Sequence, residues 1–85
     1  MYRIEFEEKA DKDLESMPSK PRGMVLRAIH KRLAVAPLLL GKQLQHDLSW
    51  CRVLGVGHWR VGYTVEGETV YIERIEMRRD AYTNW

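Results

Sequence analysis

Trp59-Arg60-Val61-Gly62-Tyr63-Thr64-Val65-Glu66 is the stretch that decides the fold. Large apolar side chains stand at 59, 61, 63 and 65, and Arg60, Gly62 and Thr64 fall between them. That period of two is a β-strand with one buried face. Gly57-His58, just before it, reads as a tight turn, so Trp50 to Val56 reads as the strand it folds back on. Glu66-Gly67-Glu68 is a second turn. Thr69 to Met77 is then the last strand, with Val70-Tyr71-Ile72 its most strand-prone part. The C-terminal half is therefore a three-stranded antiparallel meander.

The N-terminal half begins with the same period. In Tyr2-Arg3-Ile4-Glu5-Phe6-Glu7 the apolar residues alternate with charged ones, which predicts Tyr2, Ile4 and Phe6 on the buried side. From Glu8 to Met17 the period changes: Ala10, Leu14 and Met17 form one stripe of a short helix that Pro18 stops. Ser19 is a predicted N-cap for a second helix. Val25, Ile29 and Leu33 line its apolar face, Arg22, Arg27, Lys31 and Arg32 lie mostly off it, and Pro37 ends it. The short link between the helices predicts an antiparallel hairpin packed on the sheet. Leu38 to Ser49 has no clean period and reads as a loop with Gly41 at a turn. Arg78 to Trp85 reads as a polar tail.

Eighty-five residues make one α+β domain. A hydrophobic content of 45% with 31% charged residues of mixed sign excludes a disordered chain. The net charge is only +2, so the placement of charge matters more than its sum. The lone Cys51 excludes an intrachain disulfide and reads as a small strand residue in a reducing compartment. The opening residues lack the apolar core of a signal peptide, and no apolar run is long enough to span a bilayer. A cytoplasmic protein without a membrane partner is expected. No glycine-rich phosphate loop, metal-ligand spacing or nucleophile elbow is present in the sequence.

The residues that can carry chemistry are Arg60, Arg78, Arg79 and Tyr82. Arg60 points away from the predicted core. Gly62, two positions on along the same face, leaves room for a bulky ligand. The end of the last strand can return beside Arg60 and bring Arg78 and Arg79 with it. Clustered guanidinium forks suit phosphates, and Tyr82 can stack on a base or act through its hydroxyl. The same arginines also fit a solubilising surface paired with Glu5, Glu73 and Glu76. His58, at the turn, and His46, in the loop, have the side chain most used for acid-base work, and both also fit idle surface positions. His30 reads as structural. Trp50 and Trp59 read as packing, with a recognition role as the alternative.

Taken in order, four segments resemble the RelE/ParE family of bacterial and archaeal type II toxins. They are Tyr2-Arg3-Ile4-Glu5-Phe6 with Ala10 and Lys12-Asp13-Leu14; Pro37, Gly41-Lys42 and Leu44 leading to Asp47-Leu48; Val56-Gly57-His58-Trp59-Arg60-Val61-Gly62-Tyr63; and Ile72 to Tyr82. The resemblance implies a RelE-like β-α-α-β-β-β fold, an antiparallel sheet with a two-helix hairpin on one face. It further implies a microbial toxin held inactive by a cognate antitoxin. RelE-like members cut mRNA in the ribosomal A site, so ribosome and mRNA become expected partners, with no metal or cofactor needed. ParE-like members instead poison DNA gyrase. A non-toxic antitoxin-binding domain is the third reading.

By motif match Arg60 becomes the phosphate-binding arginine, Arg78 or Arg79 the C-terminal basic residue, and Tyr82 the terminal tyrosine. Lys42 joins Arg79 as a substrate-binding residue. Met77 stands where the family has a histidine, and His58, in place of the family's turn aspartate, can supply an acid-base group. The family's basic positions on the preceding strand fall near Val53 and Gly55 here. Arg52 lies one step out of register and reaches the Arg60 face only if a β-bulge intervenes.

Overall fold

The computed structural model describes residues 1–40, 42–43 and 51–79. The strands are β1 (Arg3–Phe6), β2 (Lys42–Gln43), β3 (Arg52–Val56), β4 (Trp59–Glu66) and β5 (Thr69–Met77). The helices are α1 (Glu8–Ser16), α2 (Ser19–Ala28) and the short α3 (Pro37–Leu40). A π-helical turn over Ile29–Leu33 continues α2. The five strands form one sheet in the order β1-β5-β4-β3-β2.

The α+β reading holds, with the meander and the two helices where the periodicities put them. The sheet is mixed, however, rather than wholly antiparallel: β1 runs parallel to β5, with Ile4 beside Val70 and Phe6 beside Ile72. The helices between β1 and the meander carry the chain from one edge of the sheet toward the other, and a crossover of that kind makes a parallel pairing available. Three local expectations change. Ser19 is the first residue of α2 and makes no cap, because Pro18 occupies the cap position. Pro37 opens α3 instead of closing the preceding helix, which suits a residue that lacks an N–H to lose in a first turn. The segment read as a loop from Leu38 contains the end of α3 and the two-residue β2.

The core lies between the helices and one face of the sheet. Ala10 and Met17 of the first helical stripe and Val25, Ile29 and Leu33 of the second are buried against Leu54, Val61, Tyr63, Val70, Ile72 and Ile75. The Tyr63 hydroxyl donates to the Pro37 carbonyl at 2.6 Å, so the largest fully buried side chain among the described residues keeps its polar atom satisfied and ties β4 to the start of α3. Ile72 and Ile75 are three apart, yet both are buried. A bulge in β5 allows it: Gly62 pairs with Arg74 and Tyr63 with Ile72, which leaves Glu73 as the extra residue. Past Phe6, β1 no longer covers the outer edge of β5. There the Asp13 carboxylate accepts the Ile75 N–H at 2.9 Å, taking the place of a missing strand. Lys9 holds the other oxygen of that carboxylate at 2.6 Å.

Ile29 is fully buried in the middle of the helical stripe. Replacing it with alanine is expected to cost about 2–5 kcal/mol, the range for large-to-small changes in a packed core. Chemical denaturation measures this, and a loss well under 1 kcal/mol on that scale would contradict the packing.

Candidate functional site

Gly57 has φ +60°, a conformation open to glycine and strained for most other residues. It forms the two-residue turn that joins β3 to β4 and fixes their register: Val56 pairs with Trp59, Gly55 with Arg60, Leu54 with Val61, Val53 with Gly62 and Arg52 with Tyr63. Paired residues share a face. Arg60, Gly55, Gly62, Val53 and, across β5, Arg74 and Glu76 therefore line the side away from the helices.

Arg60 lies on that side, and its guanidinium has a defined seat. Nη1 donates to the Gly57 carbonyl at 3.0 Å and to the Trp59 carbonyl at 2.9 Å. Its flat face covers Gly55, where a Cβ would stand 3.0 Å from Nη1 and 3.2 Å from Cζ. The glycine that makes room for Arg60 is thus the one opposite it on β3. Gly62, expected to open space beside Arg60, is buried. No carboxylate of a described residue pairs with Arg60, whereas its β5 neighbour Glu76 lies near Lys9 at 3.7 Å and Arg74 at 3.9 Å. Arg60 therefore presents a held and uncompensated cation, suited to a phosphate or carboxylate.

Arg78 closes on the same corner. Its backbone N–H donates to the His58 carbonyl at 2.6 Å, so the end of β5 is stitched to the turn that precedes Arg60. The side chains of His58, Arg78 and Arg79 are exposed. Arg52 goes elsewhere. It pairs with Tyr63 and keeps that residue's face, because the bulge that would have reversed it is in β5 and not in β3. Lys42 is in register with Val53, one strand beyond Gly62. Tyr82, His46 and Trp50 lie outside the described residues. His30 stands beside Phe6, ring centres 6.5 Å apart.

Two features escaped the sequence reading. The sequence marks Gly55 only as a position without a basic residue, although counting outward from the turn puts it opposite Arg60. The off-stripe cations Arg27, Lys31 and Arg32 line a groove of about 390 Å³ whose far wall is Gly55, Val56 and Gly57. Among the described residues no group of three or more His, Cys, Asp or Glu is placed to hold a metal ion, and no helix is long and apolar enough to cross a membrane.

A family model described as the ParE toxin of type II toxin-antitoxin system, parDE, matches residues 4–82. Toxin RelG of Mycobacterium tuberculosis is 30% identical over 83 residues, which is 95% of this chain and 95% of that protein. The toxin-antitoxin complex RelBE2 of the same organism contains a chain with a TM-score of 0.85 and 28% identity, over 91% of this chain and 98% of that one. The isolated Escherichia coli RelE toxin shares the fold at a TM-score of 0.78 and 16% identity, over 99% of this chain and 92% of its own. The chain belongs to the RelE/ParE superfamily of type II toxins.

Cys51, the residue just before β3, is fully buried. Burial pushes its thiol up from 9.0 to about 11, so at neutral pH it is neither nucleophile nor ligand. The unfolded chain loses this proton first. The thiol's contribution to stability is therefore intact below about pH 9 and is lost as pH rises toward about 11. Iodoacetamide at pH 8 is expected to leave native protein unlabelled and to label it rapidly in denaturant; rapid native labelling would contradict the burial.

Proposed function

We propose that the chain is the toxin of a type II toxin-antitoxin pair and acts as a ribosome-dependent mRNA endoribonuclease. The observation that carries this reading is the Arg60 guanidinium held over Gly55 by the Gly57 and Trp59 carbonyls. A fixed cation of this kind has little reorganisation left to do when charge develops on a phosphate. In the proposed reaction the ribose 2′-hydroxyl attacks the adjacent phosphorus, and the bond to the following nucleotide's 5′-oxygen breaks. Arg60 stabilises the charge on the non-bridging oxygens. In this reading Arg78 adds a second cation at the same corner, and His58 takes the proton from the 2′-hydroxyl and returns one to the departing 5′-oxygen. The ribosome supplies the alignment of the scissile bond, which removes the entropic share of the barrier.

One observation favours the ParE-like reading. Val53 and Gly55 occupy the β3 positions on the Arg60 face, and neither brings a charge. Poisoning of DNA gyrase is the corresponding activity.

Arg60→Ala is expected to lower single-turnover cleavage of ribosome-bound mRNA by about 10²–10³, with the melting temperature unchanged. Arg60→Lys should recover only part, since an ammonium cannot reproduce the planar fork. Inhibition of gyrase supercoiling by the wild type without any mRNA cleavage would assign the ParE-like activity instead. A cognate antitoxin is the proposed partner, in keeping with relatives solved as toxin-antitoxin complexes. Co-expression of the adjacent open reading frame should restore growth of a host that this chain arrests. A neighbour that neither binds nor rescues would remove the partner assignment.

A further inference from the structure

Arg60 and Glu76 stand directly opposite each other on β4 and β5. Opposite charges at such a position are close enough to pair across a sheet and ordinarily stabilise it by doing so. Here the two side chains part. Arg60 turns toward β3, where Nη1 is held by the Gly57 and Trp59 carbonyls above Gly55. Glu76 turns the other way, and its Oε2 lies 3.7 Å from Lys9 Nζ and 3.9 Å from Arg74 Nη1. The Glu76 side chain is only 14% exposed, so it is packed in that orientation and does not sweep through solvent.

Lys9 reaches Glu76 because of the way the β5 edge is finished. β1 covers β5 only as far as Ile72. Beyond it α1 meets the edge, and the Asp13 carboxylate accepts the Ile75 N–H at 2.9 Å. The same carboxylate holds Lys9 Nζ at 2.6 Å, one helical turn back. Lys9 is thereby fixed at the rim of the sheet between two carboxylates, with Asp13 in contact and Glu76 a little beyond. Lys12, its neighbour on α1, is paired with Glu8. Arg74 shares a strand and a face with Glu76, so it pulls along the sheet. Lys9 comes from outside the sheet, and of the two cations it is the one that draws the carboxylate away from Arg60.

We infer that Lys9 is a positioning residue for Arg60: anchored by Asp13, it keeps Glu76 turned to the sheet edge and so leaves the Arg60 guanidinium open to an anion. The inference rests on the reading of Arg60 as the phosphate-binding cation, and it adds a residue of α1 that does not touch the phosphate. Without Lys9 the cross-strand pair becomes the favoured arrangement, with Glu76 on Arg60. A phosphate then has to displace a carboxylate from the guanidinium, and its affinity falls. This effect passes through the charge of Glu76 and vanishes when that charge is removed. Loss of a nearby positive charge, acting only through the field, would weaken phosphate binding whether or not Glu76 is charged.

The test is a double-mutant cycle on the full chain, with inorganic phosphate as the probe and the NMR signal of the Arg60 Nε–H as the readout. Lys9→Met is expected to weaken phosphate binding about fivefold, the upper end for an exposed ion pair. Glu76→Gln alone should stay within about twofold of the wild type, yet restore binding in the Lys9→Met background. Lys9→Arg, able to reach the same two carboxylates, should keep most of the affinity. Unchanged affinity in Lys9→Met overturns the inference, and so do strictly additive effects of the two substitutions. Damage to α1 packing would also lower affinity, but Glu76→Gln would not reverse it, and circular dichroism would register it. A second measurement needs no ligand. In phosphate-free Lys9→Met the Arg60 signal should move as the guanidinium takes up Glu76, and return in Lys9→Met/Glu76→Gln. If that movement appears while the wild type fails to bind phosphate, the phosphate reading of Arg60 falls and the positioning role of Lys9 stands. If phosphate binds at Arg60 and the signal does not move, the positioning role falls and the phosphate reading stands.

Discussion

The turn at Gly57-His58 is the constraint on which the rest depends. Its left-handed first residue makes the connection two residues long and closes the hairpin on Val56 and Trp59. Every later pairing follows by counting. Tyr63 arrives on the helix side, where its hydroxyl finds Pro37. Arg60 arrives on the other side, opposite a residue with no side chain to displace it. A one-residue slip would exchange the two faces and put a guanidinium into the core, at a cost of several kcal/mol for a buried unpaired ion. The register is therefore held from both ends, by the turn and by the burial of Val61 and Tyr63.

Much of this was legible beforehand because it depends on period and on turn chemistry. The alternation at 59 to 66 located β4, its faces and Arg60. The stripe of Val25, Ile29 and Leu33 located the core side of α2. The parallel docking of β1 was hidden, since an alternating segment looks the same whichever way its neighbour runs. The bulge in β5 was hidden too: Glu73 and Arg74 are both charged, and either reads as the outward residue. Pro37 misled because proline marks a helix start as readily as a stop. Gly55 was overlooked for want of a step, not of information. It carries no chemistry of its own, and its importance appears only when it is set across the hairpin from Arg60.

The placement of charge explains how a chain of net charge +2 presents strongly cationic corners. Acidic residues are spent against particular partners: Asp13 on Lys9 and the Ile75 amide, Glu76 near Lys9 and Arg74, Glu8 on Lys12 and Glu73 on Thr64. The helix cations Arg27, Lys31 and Arg32 and the turn cation Arg60 are left out of that pairing. The bland reading of Arg60 as part of a solvated surface paired with Glu5, Glu73 and Glu76 finds no such ion pair among the described residues, where Glu76 lies near Lys9 and Arg74 instead.

The parallel ladder between β1 and β5 has a consequence for when the molecule exists at all. Arg3 meets Thr69 and Phe6 meets Ile72, so β1 has its place beside a strand made more than sixty residues later. Pairing over so long a stretch of chain is slow and has to wait for the whole intervening sequence. A nascent chain stalled anywhere before β5 has helices and a hairpin but no closed core: Val70, Ile72 and Ile75 are missing from it, and Asp13 has no amide to hold. Translation itself therefore keeps the domain unassembled until β5 has been made. Fragments from interrupted synthesis would expose apolar surface and go to proteolysis instead of accumulating as partly working copies.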